Sequence, residues 1–343
     1  MDSAALRQLG FLKESQGDFD AALEAFASAV ALTPDDVDAQ FSFALYLRLT
    51  RQFGPAEAAY RRVLALDPGN ADAALGLAAV LLVQRRFAEG FAVQEGRPMR
   101  RRLQALPLPE WDGGSLAGKR LLVWREQGYG DQIVMARFLP ALAEAGAQVT
   151  YAGPRALQRL FSRLPVTFIE DDPRIDLSGF DAWVLPMSLP HRLGLTEPDL
   201  SVGPYLSGQA GTRGGIGVIW RGEPKNMNDR FRSLPRAQAE RLLALPGAIS
   251  LEPSDTGAID FQASADVIAG LDLVITVDTS VAHLAGAMGA PVWVTQGRYG
   301  FDWYWPLERA SPWHPHARVF IQATPGDWDP VVDAICREAA AIS

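Results

Sequence analysis

The chain has 343 residues, 48% hydrophobic and 21% charged, with a net charge of −8 and a single cysteine, Cys336. That length and apolar share allow two or three packed domains. They exclude a disulfide framework or a thiolate metal cluster within the chain, and the acidic balance argues against a nucleic-acid partner, since phosphate contacts require a basic face.

The first residues, MDSAALRQLGFLKESQGDFD, carry no basic segment leading into an apolar core, and no apolar run elsewhere is long enough to span a bilayer. A cytoplasmic, reducing location is expected. From residue 3 to about 104 the chain is Ala/Leu-rich and repeats itself. Ala22, Phe26, Ala29 and Pro34 recur 34 positions later as Ala56, Tyr60, Val63 and Pro68, and that period is the tetratricopeptide length. Leu9, Gly10 and Lys13 supply much of the remaining pattern. A third unit begins at Ala71, but Gly90 stands where a close-packed alanine belongs, so it reads as a degenerate repeat that caps the array or docks on the next domain. Repeats of this kind present a groove to a polypeptide, although the helices could instead serve only to extend a core. The run Arg100, Arg101, Arg102 reads as a solvated helix end.

Between Arg97 and Gly118, Pro98, Pro107, Pro109 and Gly113-Gly114 mark a connector. The repeat region is placed at 1–104 and the connector proper at 105–118. From Lys119 short apolar runs alternate with helical patterns, the grammar of parallel sheets covered by helices. Strands are expected at 120–124, 148–152, 181–185, 215–220, 248–251, 273–277 and 291–295. A break over 204–215 divides this part into two Rossmann-like lobes, 119–206 and 214–343, that enclose a cleft. Open parallel sheets bind ligands beyond the carboxyl ends of their strands, so those ends should face the cleft.

Three stretches stand at such ends. After the first expected strand come Arg125, Glu126, Gln127, Gly128, Tyr129, Gly130 and Asp131, followed by a helical pattern over 133–145. The glycines permit close approach to a ligand, and Gln127, Gly128 and Gly130 are candidate cleft contacts. Asp131 is either the cap of that helix or a general base for an acceptor hydroxyl. In the second lobe, Asp278, Thr279, Ser280, Val281, Ala282 and His283 open a helix. Thr279 and Ser280, with the helix N–H groups, suit a diphosphate leaving group. His283 is placed to donate to a phosphate or contact the ribose, the alternative being a satisfied structural histidine, and Asp278 ranks behind the two hydroxyls because it can cap the helix or hold the loop. The polar stretch 221–233 comes directly off a strand. Arg221 and Lys225 are its candidate phosphate clamps, and Asn228 is a further cleft contact.

No metal is expected. Asp327-Trp328-Asp329 has the shape of an Asp-x-Asp metal signature, but it stands before a C-terminal helix with no strand close ahead, and Asp329 reads as the helix cap. His314-x-His316 is too isolated for zinc. The aromatic run Tyr299, Phe301, Trp303, Tyr304, Trp305 and Trp313 reads as packing between the lobes, with a stacking platform for base or sugar as the alternative.

The stretch Val218 to Lys225 with Asp229, Arg230, Arg232 and Ser233, then Asp278 to Ala285, together with Glu126 to Asp131, resembles the bacterial tetratricopeptide-fused glycosyltransferases. Their catalytic part is similar to heptosyltransferases and, more distantly, to O-GlcNAc transferases. The resemblance implies helical repeats followed by an α/β GT-B fold, metal-independent transfer with inversion, and a nucleotide-sugar donor held by the second lobe without a cofactor. It also implies that Asp131 is the base and that Lys225, Thr279, Ser280 and His283 contact donor phosphates. Ser280 replaces the glycine usual after Asp-Thr, and the catalytic His-Pro segment of the O-GlcNAc enzymes is not visible in the first lobe. Some members with this layout glycosylate flagellin with nonulosonic sugars, so a CMP-linked donor joins the UDP, GDP and ADP possibilities. The expected activity is transfer to a protein hydroxyl, the acceptor being engaged partly by the repeats. The alternatives are a lipid-linked or free saccharide acceptor, or an inactive nucleotide-binding scaffold.

Overall fold

The computed structural model describes residues 2–172, 174–211, 214–226, 229–305 and 310–341. Asn228, Thr212 and Arg213 lie outside the described residues. Contacts divide the chain into one compact unit running to Leu103 with Phe301–Trp303, and a second of Gln104–Gly300 with Tyr304 onward.

The first unit is three helical hairpins: α1 Ser3–Ser15 with α2 Phe19–Leu32, α3 Val37–Leu49 with α4 Phe53–Leu66, and α5 Ala71–Val83 with α6 Phe87–Gln94. Of the residues that recur with the 34-residue period, the two prolines are exposed and the rest form its core. Ala22, Phe26, Ala29, Ala56, Tyr60 and Val63 are all buried. Rings fill the space that glycines leave, for a Cβ on Gly10 would stand 2.5 Å from the Phe26 ring and one on Gly76 would stand 2.4 Å from that of Tyr60. Gly90 does the same in the third hairpin, lying against Leu82, where a Cβ would meet the side chain at 2.8 Å.

The hairpin turns repeat as well. Gly17, Arg51 and Arg85, 34 residues apart, all adopt left-handed backbone (φ 78°, 62° and 63°). The next amide in each case bonds back five residues, Asp18 to Lys13 (3.0 Å), Gln52 to Leu47 (2.8 Å) and Arg86 to Leu81 (2.9 Å), which closes each first helix with a Schellman turn. Side-chain oxygens of Asp18, Asp36 and Asn70 cap the following helices. The segment after α6 is more ordered than a connector: Arg97 is fully buried and bonds Glu95, and α7 Pro98–Leu103 follows. Arg100 is half-buried and paired with Glu95, and Arg101 donates to the Gly69 carbonyl, so the basic run is tied to the repeats and only partly solvated.

The second unit contains two parallel sheets. The first joins β1 Arg120–Trp124, β2 Gln148–Gly153, β3 Thr167–Glu170 and β4 Ala182–Val184 in the order β3-β2-β1-β4. The second joins β5 Ile216–Ile219, β6 Ala248–Ser250, β7 Leu273–Val277, β8 Val292–Gln296 and β9 Ala317–Ile321 in the order β6-β5-β7-β8-β9. Every residue of β5, β7 and β8 is buried, as strands covered on both faces must be. The edge strands β3 and β9 are additions to the expected set. They are half exposed and mix polar with apolar residues, which weakens their signal. Residues 108–111 also pair with the first sheet: the Trp111 amide donates to the Trp183 carbonyl (2.7 Å) and the Trp183 amide to that of Pro109 (3.0 Å). The expected connector thus borders β4. The helix expected from Ile133 begins earlier, as α8 Tyr129–Met135, and passes through a 3-10 turn before Leu139–Glu144. Pro140 explains the interruption, because it lacks the N–H that a continuous helix would need. Within the interlobe break, the amides of Tyr205 and Leu206 already bond the Ala287 carbonyl of the second lobe. Among the described residues no helix is long and apolar enough to cross a membrane.

A Cβ on Gly17 would meet no neighbouring atom within 4 Å, so its positive φ alone resists substitution. Replacing Gly17 by Ala is expected to destabilise the repeat unit by about 1 kcal/mol, the cost of holding an L-residue in left-handed backbone, seen as a lowered thermal midpoint.

Candidate active site

In both sheets the strand order reverses at one place, between β1 and β4 and between β5 and β7. A crevice opens at such a point because the adjoining connections leave on opposite faces. The chain beyond β1, β5 and β7 carries the three stretches expected to face a ligand.

Beyond β1, the Glu126 carboxylate is buried and accepts the Met187 amide at 2.9 Å, tying this loop to the end of β4. Gln127 then takes φ +60°, the less favoured left-handed region, and Gly128 caps α8. Asp131 is not the cap residue. It sits one turn inside the helix and reaches back, one carboxylate oxygen accepting the Gly128 amide at 3.2 Å. The other oxygen accepts the Tyr304 hydroxyl at 3.0 Å. Burial pushes its carboxyl up to about 6, against the opposing pull of these two donors; the charges of Glu126 and Asp278 push the same way as burial.

Beyond β7, Asp278 is buried and accepts the Trp305 indole N–H at 2.8 Å, while its carbonyl takes the Arg232 guanidinium at 2.6 Å. Its carboxyl is raised by burial, partly offset by the Trp305 bond and the Arg232 charge. Asp278 therefore holds the loop, and Thr279 occupies the cap position of the helix Ser280–Ala287 without making a side-chain cap bond. The Thr279 hydroxyl lies 3.2 Å from that of Thr276. His283 does not face a ligand space. It is buried, with Nδ1 3.1 Å from His314 Nε2, its ring stacked on Trp305 (centroids 5.0 Å apart) and edge-on to Tyr304 (4.9 Å). One helical turn in from Ser280, the side chain points into the core rather than out of the helix end. Burial lowers its pKa to about 3 and holds His314 well below the usual histidine range, so both rings are neutral at pH 7.

Beyond β5, Arg221 lies over the Trp220 ring (5.0 Å) and pairs with Glu252 at 3.3 Å. The rest of the stretch folds back on itself. Asp229 bonds Arg232 and Ser233, and the Ser233 hydroxyl accepts the Gly222 amide at 2.9 Å. Lys225 is exposed on a turn where its amide donates to Glu223.

A cavity of about 720 Å³ brings part of this set together. Arg221, Glu252, Thr279, Ser280 and Val281 line it from the second lobe and Tyr129 from the first. Lys225, Asp278 and His283 do not, and Gln127, Gly128, Gly130 and Asp131 stand on the adjoining loop and helix without lining it. Glu252 was not anticipated from sequence, although it follows β6 at the same strand end as the other site loops. One of its carboxylate oxygens is buried without a partner. The aromatic run supplies a wall instead of a stacking platform: Tyr304, Trp305 and Trp313 are essentially inaccessible and surround the two histidines. Asp329 also departs from expectation. It opens the C-terminal helix and accepts from Arg241 and Gln238, while Asp327 accepts the Asp329 amide at 3.3 Å and β9 precedes the segment. Among the described residues no cluster of three or more His, Cys, Asp or Glu side chains suited to a metal ion occurs.

Gly130 is a point of close approach between the two lobes, since a Cβ there would stand 2.6 Å from His283 Cδ2. That ring is wedged by Trp305, Tyr304 and His314, so it cannot yield. Gly130→Ala gains up to ~1 kcal/mol of helix propensity but is expected to lose ~1–3 kcal/mol to overpacking, a net drop readable as a lower denaturant midpoint.

Residues 236–295 match glycosyltransferase family 9 (heptosyltransferase), and residues 9–54 and 43–96 match the tetratricopeptide repeat. Protein FlbA of Caulobacter vibrioides (strain ATCC 19089 / CIP 103742 / CB 15) is 26% identical, the match covering 67% of this chain and 48% of FlbA. The chain thus spans about half the length of that curated relative. A glycosyl transferase family 9 structure from Veillonella parvula DSM 2008 superposes with a TM-score of 0.45 at 13% identity, covering 62% of this chain and 88% of that one. An O-GlcNAc transferase of Thermobaculum terrenum gives 0.28 at 15% identity, covering 99% of this chain and 91% of that one. The chain thus carries tetratricopeptide repeats over residues 9–96 and, over residues 236–295, a segment that matches glycosyltransferase family 9 (heptosyltransferase).

Proposed function

We propose that the chain moves a sugar from a nucleotide-sugar to a protein hydroxyl, with inversion and without a metal, the acceptor being held in part by the repeats. The observation that carries this reading is the Asp131 carboxylate. It is oriented by two donors, raised to about 6, and stands two residues from Tyr129 at the cavity that Arg221, Thr279 and Ser280 line. A base of that strength is ionised at neutral pH yet still takes a proton readily.

In the proposed step the acceptor oxygen attacks the anomeric carbon, its proton passes to Asp131, and the bond from that carbon to the phosphate oxygen breaks with the electron pair leaving on the nucleotide. Arg221 and the N-terminal end of the helix Ser280–Ala287 offset the developing phosphate charge. Lys225 joins them in this reading by movement of its exposed turn onto the donor. The unpartnered oxygen of Glu252 is suited to a donor hydroxyl such as those of a ribose. Support for a polypeptide acceptor comes from the repeat unit.

Two outcomes test the reading. UDP, GDP, CMP and ADP are compared by thermal shift, then the matching UDP-GlcNAc, GDP-mannose, CMP-N-acetylneuraminate and ADP-heptose are assayed by nucleotide release. Asp131→Asn should lower turnover ~10²–10⁴-fold while the nucleotide-induced shift is retained, and wild-type turnover would remove Asp131 from the chemistry. Because the ionised form is the active one, wild-type turnover should fall about tenfold per pH unit below the value of about 6 and level off above it.

A further inference from the structure

Tyr304 belongs to the second lobe, in the segment after β8, yet its hydroxyl ends on a carboxylate of the first. The side chain is fully buried and has no freedom to swing. Its ring is edge-on to His283 (centroids 4.9 Å apart) and to Trp313 (5.4 Å), and its carbonyl accepts the Ser311 hydroxyl at 2.7 Å. Ser311 in turn accepts the amides of Trp313 and His314, so the backbone around the ring is closed into a tight loop. The hydroxyl donates to Asp131 at 3.0 Å and lies 4.0 Å from the Met187 sulfur.

We propose that Tyr304 is the positioning residue of the transferase site: its hydroxyl, delivered from the second lobe, sets the orientation of the Asp131 carboxylate, so that the base is complete only while the two lobes are in contact. The inference rests on Asp131 being the base. The Gly128 amide comes from the same short loop as Asp131 and fixes one oxygen locally. The second oxygen is fixed by Tyr304, and that bond spans 173 residues of chain. The groups facing Asp131 otherwise oppose its ionisation or leave it unaffected. Glu126 from the loop after β1 and Asp278 from the end of β7 are negative, and His283 from the packed helix is neutral. Removing the hydroxyl therefore takes away a donor that favours the carboxylate, and leaves the two repelling charges in place.

The experiment compares the full-length wild type, Tyr304→Phe, Asp131→Asn and the double variant, using release of UDP, GDP, CMP or ADP from the four sugar nucleotides named above. In parallel, carbon NMR of aspartate-labelled chain follows the Asp131 carboxyl through its titration, the signal being assigned by its loss in Asp131→Asn. Tyr304→Phe is expected to lower kcat ~10- to 100-fold with little change in donor KM, and to move both the acidic limb and the carboxyl titration upward by ~0.5–1 pH unit. It should have no further effect in the Asp131→Asn background. Replacement of Tyr304 by 3-fluorotyrosine keeps ring and hydroxyl, and hence the fold, while strengthening the donor, so the titration should move downward. An unmoved titration in either Tyr304 variant, or losses that add fully in the double variant, would overturn the positioning role. Wild-type turnover in Asp131→Asn would instead sink the base reading itself, whatever Tyr304→Phe does.

Discussion

The site depends on one steric constraint, the contact of Gly130 with the His283 ring. Two helices from different lobes, α8 and Ser280–Ala287, meet at their N-terminal turns, and no side chain fits between them at Gly130. What fills the space behind is a block of flat groups: His283 against His314, both layered with Trp305, closed by Tyr304 and Trp313. Neutral histidines suit this place, because a charged ring enclosed among aromatic groups would carry a large desolvation penalty. Three carboxylates surround the same block. Each is held by a donor from elsewhere in the fold: Glu126 by the Met187 amide, Asp131 by Tyr304, Asp278 by Trp305. Burial, acting against those donors, leaves Asp131 and Asp278 with raised carboxyls, and at Asp131 the charges of Glu126 and Asp278 add to it.

The rest of the cleft follows from the sheets. Both reverse strand order beside the strands whose ends carry the site, and the wholly buried β5 and β7 give the second-lobe loops a rigid base. Arg232 braces one loop on the other through the Asp278 carbonyl, so the loops after β5 and β7 form a single structure. Arg221, partnered by Glu252, is the cation directed at the cavity. Charge of both signs at one wall fits a ligand with a phosphate at one end and hydroxyls at the other.

The repeat unit solves its packing by a different rule. Each hairpin uses the same left-handed turn and places small residues opposite bulky ones, so the hairpins stack without long-range pairing. Arg51 and Arg85 occupy the turn position that Gly17 fills without strain. The stacked hydrogen-bonded turn and core contacts offset a local backbone cost of ~1–2 kcal/mol at each.

How much of this could be read from the chain alone divides by the range of the interactions concerned. Period and local chemistry were enough for the repeats, for the central strands β1, β5, β7 and β8, and for the three loops at the strand ends, because hydrophobic spacing and turn residues act over a few positions. Edge strands β3 and β9 escaped notice since half their residues face solvent, and the 108–111 segment looked like a linker because its pairing partner, Trp183, lies more than seventy residues away. The contested residues were decided by distance in space. Asp131 proved to be neither a plain cap nor free, because its carboxylate reaches back to Gly128 and across to Tyr304. His283 turned inward because a histidine 31 residues on was waiting in the core, a pairing that no spacing rule contains. The sequence by itself determined which elements form and which strand ends bear polar residues. Only the tertiary structure decided which of those residues face the cavity, since that depends on burial and on donors contributed by the opposite lobe.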